Sequence, residues 1–143
     1  MSKALPFYTL TKRSQFVALR DAEQKYVTPS CVVQYLHPAS LPQHARYSQP
    51  MPPFFFAVGY TVTKKCGNAV VRNRMKRRLR AVMREVMKEY GVQHFPQGCI
   101  CVVIARHSLN EYDYPTLLHH VRRAMKHIAY QFAHQGQHHV VAC

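Results

Sequence analysis

The sequence predicts a single α/β domain whose elements run helix, strand, strand, helix, strand, helix. Three observations carry this reading. Three β-prone or apolar runs of strand length stand at Cys31–Leu36, Phe54–Thr63 and Cys99–Ala105. Two longer segments repeat apolar residues with the helical period: Met75, Leu79, Val82 and Val86, then Leu117, Val121, Met125 and Ile128. And 143 residues at 48% hydrophobic content support one core, too rich for a disordered basic tail and too short to expect a second domain.

The elements follow in order. Thr11 to Leu19 reads as a short helix capped by Thr11, with Phe16 and Leu19 on one face. Cys31–Leu36 is a strand. His37 to Pro53 holds five prolines and reads as a loop, long enough to suggest a mobile excursion. Phe54–Thr63 is a strand rich in aromatic and β-branched residues. Gly67 suits a turn, and Asn68 suits the cap of a helix that begins near Ala69 and stops at Gly91. Cys99–Ala105 is apolar throughout, as in the middle of a sheet. Asp113 to about Phe132 is a final helix, with Asp113 as its cap and Pro115 in its first turn. Residues 1–8 and 135–143 read as flexible ends of a single domain spanning 1–143, and no internal repeat is apparent.

Charge narrows the function. Net charge is +14 with neutral histidine, and ten of the 20 Lys and Arg residues lie between Lys64 and Lys88. Only Glu85 opposes them within that run. Helical projection divides it into a buried Met/Leu/Val stripe and a cationic face. A salt-bridged surface helix interleaves Glu with Lys, and this one does not. The turn, the helix start and the basic face together suit a polyphosphate chain.

The six carboxylates fall in three pairs: Asp21/Glu23, Glu85/Glu89 and Glu111/Asp113. A protein-borne two-metal nuclease needs several that converge; here only Glu85/Glu89 share a helix face, and they read as surface partners of Arg84 and Lys88. No apolar run approaches the roughly 20 residues that cross a bilayer. Five cysteines without disulfide-like spacing read as reduced and intracellular, hence a cytoplasmic protein. The histidines 119, 120, 127, 134, 138 and 139 lack the spacing of a zinc site and read as solvated or as weakly facing the same polyphosphate chain. Cys31, Cys99 and Cys101 read as small core residues.

Lys64-Lys65-x-Gly67-Asn68-Ala69-Val70-x-Arg72-Asn73-Arg74-x-Lys76-Arg77-x-x-Arg80 closely resembles the Arg-Asn-Arg signature of the bacterial ribonuclease P protein subunit. Leu10–Phe16, Val58–Lys65 and Val102–Arg106 resemble that family's first helix, the strand before its signature and its last strand. The resemblance covers roughly residues 9 to 130. It implies a two-layer α/β sandwich with about four strands and three helices, ordered αββ(β)αβα, with a left-handed βαβ crossover. The extra strand is expected between Tyr26 and Tyr35 or just before Phe54.

The resemblance also implies partners and roles. The partners are ribonuclease P RNA and precursor tRNA, with no membrane and no small-molecule substrate. The RNA holds the catalytic Mg²⁺ and removes the 5′ leader, so no residue of this chain is catalytic or metal-binding. Arg72, Asn73, Arg74, Lys76, Arg77 and Arg80 are expected on the catalytic RNA, supported by Lys64, Lys65 and Asn68. Lys12, Arg13 and Phe16 are expected beside the leader, with Tyr35 and Tyr60 as further sheet-face aromatics. The core is the alternative place for all three aromatics, and for Tyr35 and Tyr60 it is the leading one. The chain departs from the family pattern at Arg20, where many relatives carry a second aromatic, and in its long Pro-rich loop and His-rich tail. A structural nucleic-acid binder of ribosomal type and a stand-alone nuclease are the rival readings.

Overall fold

A computed structural model describes residues 4–142, with side chains described as far as His134. The chain forms β1 (Phe7–Thr9), α1 (Arg13–Ala22), β2 (Lys25–Val27), β3 (Cys31–Leu36), β4 (Phe56–Thr61), α2 (Ala69–Met87), β5 (Cys99–Ala105) and α3 (Tyr114–Ala142). The mixed α/β class with three helices is as expected, but the sheet has five strands in the order β1-β4-β5-β3-β2. One extra strand, β2, lies in the expected region and pairs antiparallel with β3. The other, β1, stands where a flexible end was expected. Its Phe7, Tyr8 and Thr9 pair parallel with Phe56, Ala57 and Val58, and Phe7 stacks on Phe56 at 5.8 Å. Local β-propensity and an open sheet edge outweigh nearness to the terminus. Residues 1–3 and 143 lie outside the described residues.

β5 is central, parallel to β4 and antiparallel to β3. Each sheet face is covered differently. α2 and α3 bury Met75, Leu79, Val82, Val86, Leu117, Val121, Met125 and Ile128 against Val33, Phe56, Val58, Cys101 and Val103. The two helical stripes read from the sequence are therefore the two halves of this core. The other face carries α1 together with the Pro-rich segment. Leu10, Leu19, Leu41, Ala45 and Phe55 pack there on Ala57, Ile100 and Val102. The segment is thus a packed cover with two short 3₁₀ turns, at Pro38–Ser40 and Gln43–Ala45, not a mobile excursion. Arg46 knits it by donating to the carbonyls of Leu41 (3.1 Å) and Ala39 (3.2 Å).

Element ends differ in instructive ways. Lys12, not Thr11, stands at the cap of α1, and buried Gln15 reaches back with Oε1 to the amides of Thr11 and Lys12. Asn68 caps α2 as expected, its Oδ1 accepting from the Val71 amide at 3.0 Å. α2 ends at Met87, before Gly91, which has no positive φ. Asp113 Oδ1 accepts from the Thr116 amide at 2.9 Å at the start of α3. That helix continues past Phe132 to Ala142.

Candidate nucleic-acid interface

The signature turn is built before the helix that follows it. Lys64–Cys66 form one 3₁₀ turn. Gly67 then takes φ 141°, a conformation that side chains rarely adopt, and a Cβ there would meet Val71 at 3.1 Å. Arg72 Nε donates to the Gly67 carbonyl at 3.1 Å, so this arginine braces the turn as well as carrying charge. Lys64, Lys65, Asn68, Asn73, Arg74, Arg77, Arg80, Arg84 and Lys88 are exposed, while Arg72 and Lys76 are half-buried. Val70 stands 77% exposed in the same first turn, an apolar spot on a cationic face.

The cations of this face have no carboxylate partner among the described residues. Glu89 pairs with Arg122 of α3 at 2.8 Å, and Glu85 accepts from the Tyr114 hydroxyl at 3.3 Å. Neither serves Arg84 or Lys88, contrary to the sequence reading. Arg78 is different in kind. It donates to the Leu109 carbonyl (3.2 Å), to Asn110 Oδ1 (3.3 Å) and to the Tyr112 carbonyl. It is a clasp on the turn into α3.

A second surface lies on the opposite sheet face. Arg13, Phe16, Val17 and Arg20 of α1 overhang a cleft of about 240 Å³ floored by Gln34, Thr61, Val102 and Ile104. Gly59 makes it possible: a Cβ there would lie 2.6 Å from the Phe16 ring. Phe16 therefore lies on the sheet and at the cleft at once. Lys12 has its ammonium on the Arg46 carbonyl at 2.5 Å, tying α1 to the Pro-rich cover. Thr61 floors the cleft and Thr63 opens the signature turn, so β4 carries the chain from one surface to the other.

Tyr35 and Tyr60 are not brought to this cleft. Tyr35 is 5% exposed under α3, with Phe132 at 5.9 Å. Tyr60 is turned to α2, where the Arg80 guanidinium lies 5.8 Å from its ring centroid. Burial pushes its phenol well above the ordinary value, so it stays a neutral ring beneath a cation. This is the core placement that the sequence favoured for both, and strand alternation explains it: Tyr35 follows Gln34, and only one of two successive residues can face the cleft. The polar Gln34 within an otherwise apolar strand was the readable signal for the cleft face.

Cys31, Cys99 and Cys101 are buried, and burial raises their thiols. Among the described residues no three His, Cys, Asp or Glu side chains are grouped to hold a metal, and no helix is long and apolar enough to cross a membrane.

Comparison with known proteins gives a consistent result. The Ribonuclease P family profile matches residues 6–129. The ribonuclease P protein component of Gluconacetobacter diazotrophicus is 33% identical over 119 residues, 83% of this chain and 89% of that protein. The same component from Paramagnetospirillum magneticum is 33% identical over 129 residues, 90% and 88% of the two chains. The solved structure of the Staphylococcus aureus RNase P protein superposes with a TM-score of 0.61 at 20% identity, covering 83% of this chain and 93% of that one.

Proposed function

This chain belongs to the ribonuclease P protein family, and from that premise we propose that its two surfaces divide the work of a ribonucleoprotein enzyme. The signature face of α2, with Arg72, Asn73, Arg74, Lys76, Arg77 and Arg80 beside Lys64, Lys65 and Asn68, binds the catalytic RNA. The cleft under α1, with Arg13, Phe16 and Arg20, receives the single-stranded 5′ leader of precursor tRNA. The holoenzyme hydrolyses one phosphodiester bond to give the mature 5′ end. Mg²⁺, bound mainly by the RNA subunit, supplies the activated water in this reading.

The observation that carries the proposal is the row of cations on α2 with no carboxylate partner among the described residues. Unpaired cations gathered on one helix face repel one another, and a polyanion offsets that repulsion. The carboxylates argue that the chemistry lies elsewhere, because four of the six are engaged with Arg20, Tyr114, Arg122 and the Thr116 amide. Phe16 can stack a leader base on its open side, a contact worth about 1–3 kcal/mol. Lys12 contributes indirectly, by fixing α1 to the loop.

Reconstitution tests this. The protein is mixed with ribonuclease P RNA and precursor tRNA at low Mg²⁺, and leader removal is followed. Faster removal than with RNA alone is expected. Binding with no gain in rate would favour a structural RNA-binding protein, and cleavage without the RNA would favour a stand-alone nuclease. Arg72→Ala with Arg74→Ala should weaken assembly and flatten its salt dependence by roughly 0.7–0.9 of a log unit per lost phosphate contact. An unchanged slope would mean that this face is merely solvated.

A further inference from the structure

A second cationic cleft lies on the flank of the helical layer away from the signature face. α2 packs over β4 while α3 packs over β2, the edge strand at the other end of the sheet order. Between β2 and α3 opens a cleft of about 280 Å³ lined by Tyr26, Val27, Thr28, Pro29, His119, His120 and Arg123. We propose that this cleft is a second phosphate-binding site, which grips the sugar–phosphate backbone of RNA on that flank. The inference rests on the RNA-binding reading given above and adds to it a contact outside both the signature face and the leader cleft.

The donors are arranged rather than scattered. His119 and Arg123 are exposed and stand four apart on α3, so they share a face. Neither has a carboxylate partner among the described residues; the α3 ion pair there, Arg122 with Glu89, points to the α2 side. His120 is held by Ser30, whose fully buried Oγ lies 2.7 Å from Nδ1.

The Thr28–Ser30 turn anchors the His120 ring. Thr28 Oγ1 donates to the Cys31 carbonyl at 2.8 Å and accepts from the Ser30 and Cys31 amides. Ser30 Oγ lies 3.4 Å from Thr28 Oγ1 and 2.7 Å from His120 Nδ1, so a buried hydroxyl pair fixes the ring in place. The ring is also fixed edge-on to Tyr112, with centroids 5.1 Å apart. Burial lowers the His120 imidazole below its ordinary value, so near pH 7 it is a neutral, polar ring beside the Arg123 guanidinium.

The facing wall is braced. Arg106 donates to the Thr28 carbonyl at 3.0 Å, and Ser108 donates to the Pro29 carbonyl at 3.0 Å. A guanidinium fork and two imidazoles, with no carboxylate in the lining, select an anion, and the fork matches two phosphate oxygens. Val27, 53% exposed on the strand edge, adds apolar surface of the kind a ribose covers. That extended, open edge suits a continuous backbone better than an isolated small anion.

The test uses the reconstituted holoenzyme. His119→Ala with Arg123→Ala changes two exposed side chains and should leave thermal unfolding of the free protein unchanged. It should lower the slope of log affinity against log salt by about one contact's worth, 0.7–0.9. Backbone footprinting of the RNA should lose one protected segment and keep the segment that Arg72→Ala with Arg74→Ala removes. Arg123→Lys should keep the slope yet lose part of the affinity, because charge remains and the fork does not. If the cleft variant changes neither slope nor footprint while the signature variant changes both, this inference is wrong and the RNA reading stands. If neither variant changes them, both fall.

Discussion

Arg78 shows how far one side chain can differ from its neighbours in a charged run. Its three acceptors all belong to Leu109–Tyr112, the turn that aims α3. Hydrogen bonds to a charged group contribute about 1.5–3 kcal/mol, and Arg78→Ala would leave these carbonyls without their donor. A loss of roughly 2–3 kcal/mol in urea unfolding is expected, with the salt slope for RNA unchanged. Arg78→Lys should recover little, because a point charge cannot reproduce the fork. The signal was present in the sequence: Arg78 is three after Met75 and four before Val82, on the apolar stripe itself. Net charge concealed it, since composition counts a clasp and a phosphate contact alike. Two histidines carry a residue-scale pH prediction. His37, stacked on Phe132 at 4.1 Å with its Nδ1 buried and unpartnered among the described residues, and His120 both have imidazoles lowered by burial. The unfolded chain therefore binds protons more readily than the folded one. Their effect is absent above the unfolded value of about 6.5 and grows as pH falls below it, levelling off under the folded values. The melting temperature should fall between pH 7.5 and 5.5, and less steeply in His37→Gln and His120→Gln. Equal steepness in the variants would remove these two residues as the cause.

At the scale of elements, what the sequence showed depended on period. The stripes of α2 and α3 repeat with the helical period, and the runs of β3 and β5 are apolar or β-prone over strand length; each was placed, although α3 continues past its expected end at Phe132 to Ala142. The segment from His37 to Pro53 has no period, and its prolines exclude a helix or a central strand without saying what the segment covers. Its anchors, Leu41 and Ala45, are single apolar residues whose burial becomes visible only with the sheet in place. Much of the cleft under α1 was hidden for the same reason: Gln34, Thr61, Val102 and Ile104 come from three strands and meet through pairing alone. Leu41→Ala tests the packed loop. Leu41 is 3% exposed, and emptying such a site costs about 2–5 kcal/mol. Chemical unfolding should show that loss, whereas a mobile excursion would give a change within about 0.5 kcal/mol. Limited proteolysis gives an independent reading: 37–53 should resist cleavage in the native protein and become susceptible in the variant.

For the whole molecule, the decisive quantity is charge that the fold does not neutralise. Net charge is +14, and only Arg20–Asp21 and Arg122–Glu89 pair among the described residues. The free protein therefore folds against its own repulsion, which RNA would relieve. Screening alone should help, because the Debye length shrinks from about 30 Å at 0.01 M salt to about 8 Å at 0.15 M. The melting temperature should rise over that range. Pyrophosphate or a short single-stranded RNA should raise it further at equal ionic strength, because a ligand that binds only the folded state adds about 2.7 kcal/mol at a hundredfold excess over its Kd. The increment beyond salt should shrink in Arg72→Ala with Arg74→Ala, and separately in His119→Ala with Arg123→Ala, if both flanks hold phosphate. An increment that neither pair reduces would place the anion elsewhere. No increment at all would mean that the charge acts as a diffuse field, with no built sites on either flank.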